Sequence, residues 1–514
     1  MAWGPRRGLR LKLLPVVLLS LVLGLAACVS GRSGGSAGAA PAGAAQQWDQ
    51  AMQLLADKDW PRAIAALRVI IDAKSFGGLA AGAQYQALSM AGKVMVHHGP
   101  LALGYEYLVR ATAMPGATFG DWRERLQAAR RLGNEVDSVD CLTTIARKWP
   151  ASIAEFNGVY LLEIVDESTR LRRDTRLSFL LALYAANWKL KWDIEPSAAW
   201  RDLALLLLEK ERLAEATDVS GHVTDVYVLV AMKADRRFDA VVSAEQSRFD
   251  IDAAADREFR WYQAAAEKTP QSLELQSDVL QVLLQQRHYS AMLASADAVL
   301  LAIQSTNFPR KLYQDFDEKQ SLFLNLREIA LERAGRWDEA VAQLTAASLL
   351  SEEGRGNVSQ LIDLGALYCA LGRPKEALST IGNILAPTSP YGASALETVR
   401  LDAAVQMGDS KQVGRSLQFL RAHRADLLSG YEYALIAADQ PDRAAEELIA
   451  QLRDPDERQD ALLEVQNFAP ATGTPRELEW DARQRAVISR HDVQEAIRKV
   501  GRVETYNLES NTYN

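Results

Sequence analysis

Cysteine is almost missing from this 514-residue chain, which has three: Cys28, Cys141 and Cys369. None forms a CxxC, and no pair has the spacing of a disulfide framework, which argues against a thiolate metal site or a stapled miniprotein. Cys141 and Cys369 fall inside helix-like patterns and read as two separately buried small hydrophobes, with a bridge between them as the alternative. Histidine is scarce too, at six residues. None makes HExxH or stands beside cysteine at zinc-finger spacing. His97 and His98 are adjacent at a helix end, point about 100° apart and make a poor chelate. A basic stripe is also absent. The 58 Lys and Arg against 66 Asp and Glu leave a net charge of −8, which argues against nucleic acid as a partner. No P-loop occurs, and no GxGxxG follows a strand. No cofactor, metal or small-molecule substrate is indicated, and the expectation is a protein that is not an enzyme.

One apolar run stands out, Leu13 to Leu25. It is shorter than the roughly 20 residues a bilayer span needs. Four cations and no acid precede it (Arg6, Arg7, Arg10, Lys12), which is the pattern of a signal peptide. It ends in Leu25-Ala26-Ala27-Cys28, which resembles the lipobox of bacterial lipoproteins. The resemblance implies cleavage before Cys28, diacylglycerol on its sulfur, and palmitate-type acyl chains as the anchor. Val29, where inner-membrane lipoproteins carry Asp, implies the outer membrane, with the body facing the periplasm. An ordinary signal peptide with Cys28 incidental is the alternative. Arg6-Arg7 resembles a twin-arginine signal, but residues 8–12 fit that motif poorly, and general secretion is expected. Residues 1–27 are thus read as signal peptide. Residues 28–46, rich in Gly, Ser and Ala, are read as a flexible tether with a reach of roughly 20–25 Å. Gly31-Arg32-Ser33-Gly34-Gly35 spells GxSxG by composition alone, since no strand or helix frames it.

From Trp48 the chain is helix-like and it repeats. "LIDLGALYCALGRPKEALSTIGNILAP", residues 361–387, places Gly365 and Ala377 where two helices would cross closely and Gly372 at the turn between them. Pro374 suits the first turn of the second helix. This resembles the tetratricopeptide repeat, a pair of antiparallel helices. Weaker copies have crossing residues at Ala63, Gly104, Ser138, Ala291, Ala340, Val413 and Ala444, and blurred ones at Ala216 and Ala240. The expected fold is therefore all-α: a tetratricopeptide-like α-solenoid with a degenerate middle and a non-repeat C-terminal cap. Residues 47–154 and 271–455 hold the clearer repeats. Residues 155–270 are degenerate, either a hinge between two halves or divergent repeats in one array. Residues 456–514 form the cap and tail, with Ser489 and Gly501 as start and stop of a short helix and a last stretch that is strand-like, frayed or displayed to a partner.

Such solenoids bind partner proteins along the inner face of each first helix. In the subfamily that clamps a terminal carboxylate, that face carries Lys, Asn and Arg. The matching positions here are Ser359, Ile362, Ala366 and Cys369 in one repeat, and Leu322, Asn325, Ile329 and Glu332 in the one before. Only Asn325 fits. The expected groove, through Asn325, Ile329, Ile362 and Ala366, is apolar and small-lined, suited to a helix or an extended hydrophobic segment. Phe308, Tyr313 and Phe316 either form a contact patch or fill a long inter-repeat connection. The resemblance implies an interaction scaffold for envelope proteins. The rivals are an enzyme site within 155–270 and a spacer without a groove ligand.

Overall fold

The computed structural model describes residues 42–352, 355–384, 388–469 and 473–510. The lipobox and Cys28 lie outside the described residues. The chain is an all-α, tetratricopeptide-like solenoid that divides into two compact units, with the boundary between Ile194 and Glu195, inside the degenerate stretch.

The N-terminal unit runs through α1 (Ala42–Ala56), α2 (Trp60–Asp72), α3 (Ala81–His98), α4 (Leu101–Thr112), α5 (Phe119–Arg131), α6 (Glu135–Lys148), α7 (Gly158–Glu167) and α8 (Arg173–Ala185). Residues 42–46, read as tether, are therefore the first turns of α1. In the C-terminal unit come α9 (Ser197–Glu209), α10 (Leu213–Ser220), α11 (Val226–Ala234), α12 (Asp239–Ala244), α13 (Ile251–Lys268), α14 (Leu273–Gln285) and α15 (Tyr289–Gln304). They are followed by α16 (Pro309–Leu312), α17 (Phe316–Arg333), α18 (Trp337–Ser348), a β1–β2 hairpin (Ser351–Glu352, Arg355–Gly356), α19 (Val358–Ala370), α20 (Pro374–Ile381), α21 (Pro390–Met407) and α22 (Ser410–Ala422). The remainder is α23 (Leu428–Ala437), α24 (Pro441–Arg453), α25 (Arg458–Glu464), β3 (Asn467–Phe468), α26 (Pro475–Ile488), α27 (His491–Val500) and β4 (Thr505–Tyr506).

One local device recurs through both units. The turn within a pair holds a residue in the left-handed region: Lys58, Gly133, Glu211, Arg287, Gly335, Gly372, Gly408 and Asp439, with φ between 54° and 72°. The next amide then donates back five residues, as in Asp59 to Leu54, Arg212 to Leu207, Arg336 to Leu331 and Gln440 to Leu435 (2.8–2.9 Å). This is a Schellman closure, which satisfies carbonyls that the helix end would leave bare. Half of these positions are not glycine, so a scan for Gly alone misses them.

Four residues after that amide comes the helix crossing. Ala63, Ala216, Met292, Ala340, Ala377 and Ala444 are fully buried there, and Ser138 nearly so. The register corrects two expectations by one residue. Ala291 is exposed and Met292 takes the crossing; Ala240 is exposed and Val241 is buried. A larger residue at the crossing, or an extra helical turn before it, hides the repeat from a search for small residues. Gly104 marks a close approach to backbone: a Cβ there would lie 2.9 Å from the Val96 nitrogen and 2.9 Å from the Met95 Cβ. Asn187 repeats the left-handed turn, but a single 3₁₀ turn at Lys191–Asp193 follows instead of a second helix, and the unit boundary falls just beyond.

The C-terminal unit closes on itself. α25 packs against α11, and Ala234, Leu462, Val493 and Ile497 share one apolar cluster. α27 starts at His491 after Arg490, while Ser489 ends α26, so Ser489 is not its N-cap. Gly501 does stop α27, for reasons of space, since a Cβ there would meet the Ala234 oxygen at 2.5 Å. The tail as far as Glu509 is not displayed: β4 pairs in parallel with β3, and Tyr506, Leu508 and Glu509 are buried.

Two glycine substitutions test this packing. Gly104→Ala should destabilise the N-terminal unit by about 1–3 kcal/mol through overpacking against backbone. Gly414→Ala, in α22 with nothing within 4 Å, should instead stabilise by about 0.5–1 kcal/mol. Urea unfolding of both variants checks the opposite signs.

Candidate functional site

A solenoid's first helices form its inner layer, and here that layer carries acids where an apolar groove was expected. On α17, Asn325 and Glu328 are buried, and one turn on stand Glu332 and Arg333. Arg333, with 4% of its side chain exposed, is the hub. Its Nη1 lies 2.8 Å from Glu332 Oε1 and 3.7 Å from Glu477 Oε1, and its Nε donates to Glu509 Oε1 at 2.9 Å. One buried cation therefore serves three carboxylates from α17, α26 and the C-terminal tail.

Each partner is positioned by its own local structure. Glu477 belongs to a capping box: Thr474 is fully buried, its amide donates to Glu477 Oε2 at 2.6 Å, and its hydroxyl accepts from the Glu477 amide. Pro475 opens the same helix. α26 then runs over neighbouring first helices. Trp480 stacks on Tyr433 of α23 at 5.0 Å, and Arg476 sits 3.5 Å from where a Cβ on Gly372 would be. Arg483 reaches the Ala437 carbonyl at 3.4 Å.

Burial governs the protonation of these acids. Desolvation, then the charge of Glu477, holds the Glu332 carboxyl up at about 8 despite the adjacent Arg333. Glu328 is pushed well above its ordinary value by burial and by Glu332. Asp402 on α21 rises to about 7 by burial, although Tyr433 donates to it at 2.8 Å. Glu464 likewise rises to about 7, with Gln484 donating at 3.1 Å. Glu432 is completely buried, neither of its oxygens has a hydrogen-bond partner, and desolvation with Glu464 and Glu447 nearby raises it strongly. Among the described residues no cluster of His, Cys, Asp and Glu could hold a metal ion.

The sequence-predicted groove residues fare unevenly. Asn325 is 3% exposed and donates to Asp363 at 2.9 Å. Ile329 is half-buried against the core around Phe323, and Ile362 is buried beside Ala377. Only Ala366 of the four is exposed. Of the aromatic trio, Tyr313 is buried and Phe316 half-buried, both packed on the Leu273–Phe323 core; Phe308 alone is exposed, with the Lys311 ammonium 4.6 Å over its ring. Cys141 and Cys369 are free and buried. His97 contacts Glu124 at 2.7 Å and His98 stacks on Trp60, as residues ending a helix would.

The Arg333 hub and the tail that reaches it went unread in the sequence. The signal that could have found the tail is the alternation of Tyr506 and Leu508 between polar residues, which buries one face of an extended segment.

These acids set a pH dependence. A carboxyl raised in the folded state stabilises fully below its unfolded value near 4.5, and that contribution is lost as pH rises through its folded value. The melting temperature of the C-terminal unit should therefore fall by about 5 °C or more between about pH 5.5 and about pH 8.5. Glu332→Gln, which fixes the neutral form, should flatten part of that profile in scanning calorimetry.

No known protein family matches this chain, and no curated protein does. Similar chains among solved structures include one from the APC/C hetero-tetramer Cut9-Hcn1, at 12% identity and TM-score 0.28, covering 87% of this chain and 88% of that one. Yeast Tom70 shows 10% identity and TM-score 0.30, covering 89% and 99%. The P58(IPK) TPR domain shows 11% and 0.16, covering 79% and 99%. The likenesses are loose, and the fold assignment stands on the recurring helix pairs of the chain itself.

Proposed function

We propose that this protein is a lipid-anchored scaffold of the bacterial envelope, held at the outer membrane through Cys28, with its helical body in the periplasm binding other proteins. The observation that carries the reading is the joining of two features in one chain. A cationic start and the Leu25-Ala26-Ala27-Cys28 lipobox come first, and a body whose described residues are mostly stacked helix pairs comes after. Stacked pairs expose long surfaces and contribute no preformed chemistry of their own. The rival enzyme site within 155–270 finds less support. The raised acids there, Asp225 and Glu258, serve the start of α11: Asp225 accepts from the Val228 amide at 2.9 Å and Glu258 from the Val226 amide at 3.4 Å.

The anchor is tested directly. Cys28→Ala should abolish incorporation of labelled acyl chains and release the protein from the membrane fraction; retention with labelling intact would overturn the reading. Crosslinking in intact cells should recover the same envelope proteins with the wild-type chain in every repeat, and a scaffold without reproducible partners would be a spacer instead.

A further inference from the structure

Residues 502–509 are held the way a receptor holds a peptide. Within 502–509, Thr505 and Tyr506 add to β3, a strand of two residues that cannot hold a partner by itself, and a bend follows at 507–508. Side chains supply the rest. The Gln466 amide donates to the Arg502 carbonyl at 3.0 Å and accepts from the Glu504 amide at 2.9 Å. Tyr227 donates to the Glu509 carbonyl at 2.8 Å, and the Glu509 amide donates to the Gln285 carbonyl at 2.8 Å.

Two charges read the side chains. Lys233 pairs with Glu504 at 2.9 Å and stands 5.9 Å from the Tyr506 ring. Arg333 holds one Glu509 oxygen, and Tyr289 donates to the other. The holding residues come from α11, the α14–α15 turn, α17 and the segment after α25. The apolar cluster that joins α11 to α25 and α27 takes only Val503 of the tail, at its edge, and includes neither Tyr506 nor Leu508.

We propose that residues 502–509 are an intramolecular ligand that keeps a peptide site shut, and that the partner which opens it presents an extended segment with a carboxylate side chain for Arg333 and Tyr289. The charge pattern selects that chemistry. Lys233 and Arg333 each meet an acid of the tail, and a neutral segment would take Glu504 from Lys233 and one of three acids from Arg333. Glu332 and Glu477 already share Arg333, so there is room for one incoming carboxylate. The inference deepens the scaffold reading and rests on it for the partner alone. Tail exchange is measured without any partner, so either can fail while the other stands.

The test uses the full chain and a fluorescein-labelled peptide spanning residues 502–510. In a chain carrying Tyr506→Ala and Glu509→Ala, the peptide should bind at least about tenfold more tightly than to wild type, read by anisotropy. A peptide with Gln in place of Glu509 should lose about tenfold in that same chain. Equal uptake by wild type and a folded double variant would overturn the proposal. If the double variant fails to fold, a protease site placed after Arg502 decides. A severed tail that leaves on gel filtration and is replaced by the labelled peptide supports the proposal. A severed tail that neither leaves nor exchanges, or a body that unfolds on losing it, marks 502–509 as an integral strand and overturns it.

Discussion

A helix pair has apolar surface on both sides, and most of the C-terminal unit results from the need to cover it. Each pair buries one side on its predecessor and offers the other to its successor, so an array is stable only where its ends are closed. Here the closure is made by the chain itself. α26 crosses the inner layer, α27 and α25 return to α11, and the tail reaches Arg333. The inner layer of this unit is therefore filled by the protein's own last residues and is not an open trough.

That filling is polar at its centre, which is costly unless every charge finds a partner. Arg333 is the economical solution, a single guanidinium shared among Glu332, Glu477 and Glu509. Burial still outweighs nearby cations at other acids: Glu432 and Asp402 are raised despite Arg424 and Arg476. The N-terminal unit solves the same problem differently. Asp121 is fully buried, yet it receives Lys93 at 2.7 Å, Ser89 at 2.5 Å and Tyr85 at 2.6 Å, and against the opposing desolvation those bonds depress its pKa. Hydrogen bonds thus hold a buried acid down in one unit, while desolvation pushes several buried acids up in the other.

The helix pairs were legible because their determinants are local. Gly372 and Gly335 at turns, Ala377 and Ala340 at crossings, and Pro374 in a first turn each act within a few residues of one another. The register blurred where a bulkier residue does the same work, as Met292 does at its crossing and Arg287 at its turn. The inner surface was not legible. Whether Asn325 or Ile362 faces solvent depends on the neighbouring helices, through Asp363 for the first and Ala377 and Val399 for the second. The repeat pattern marks Glu332 only as an inner-face position and Glu328 not at all; the meeting of Glu332 with Glu477 at Arg333 depends on α26, which no spacing within α17 encodes.

The claim on which these relations turn is that residues 502–509 are seated in the inner layer. Hydrogen exchange followed residue by residue tests it most directly. The amides of Arg502, Glu504 and Glu509 each have an acceptor, on Ala234, Gln466 and Gln285 respectively. Seated as described, they should exchange at least about a hundredfold more slowly than in an unstructured peptide. Exchange at unstructured rates, with α25 and α27 still protected, would show that the solenoid closes without its tail.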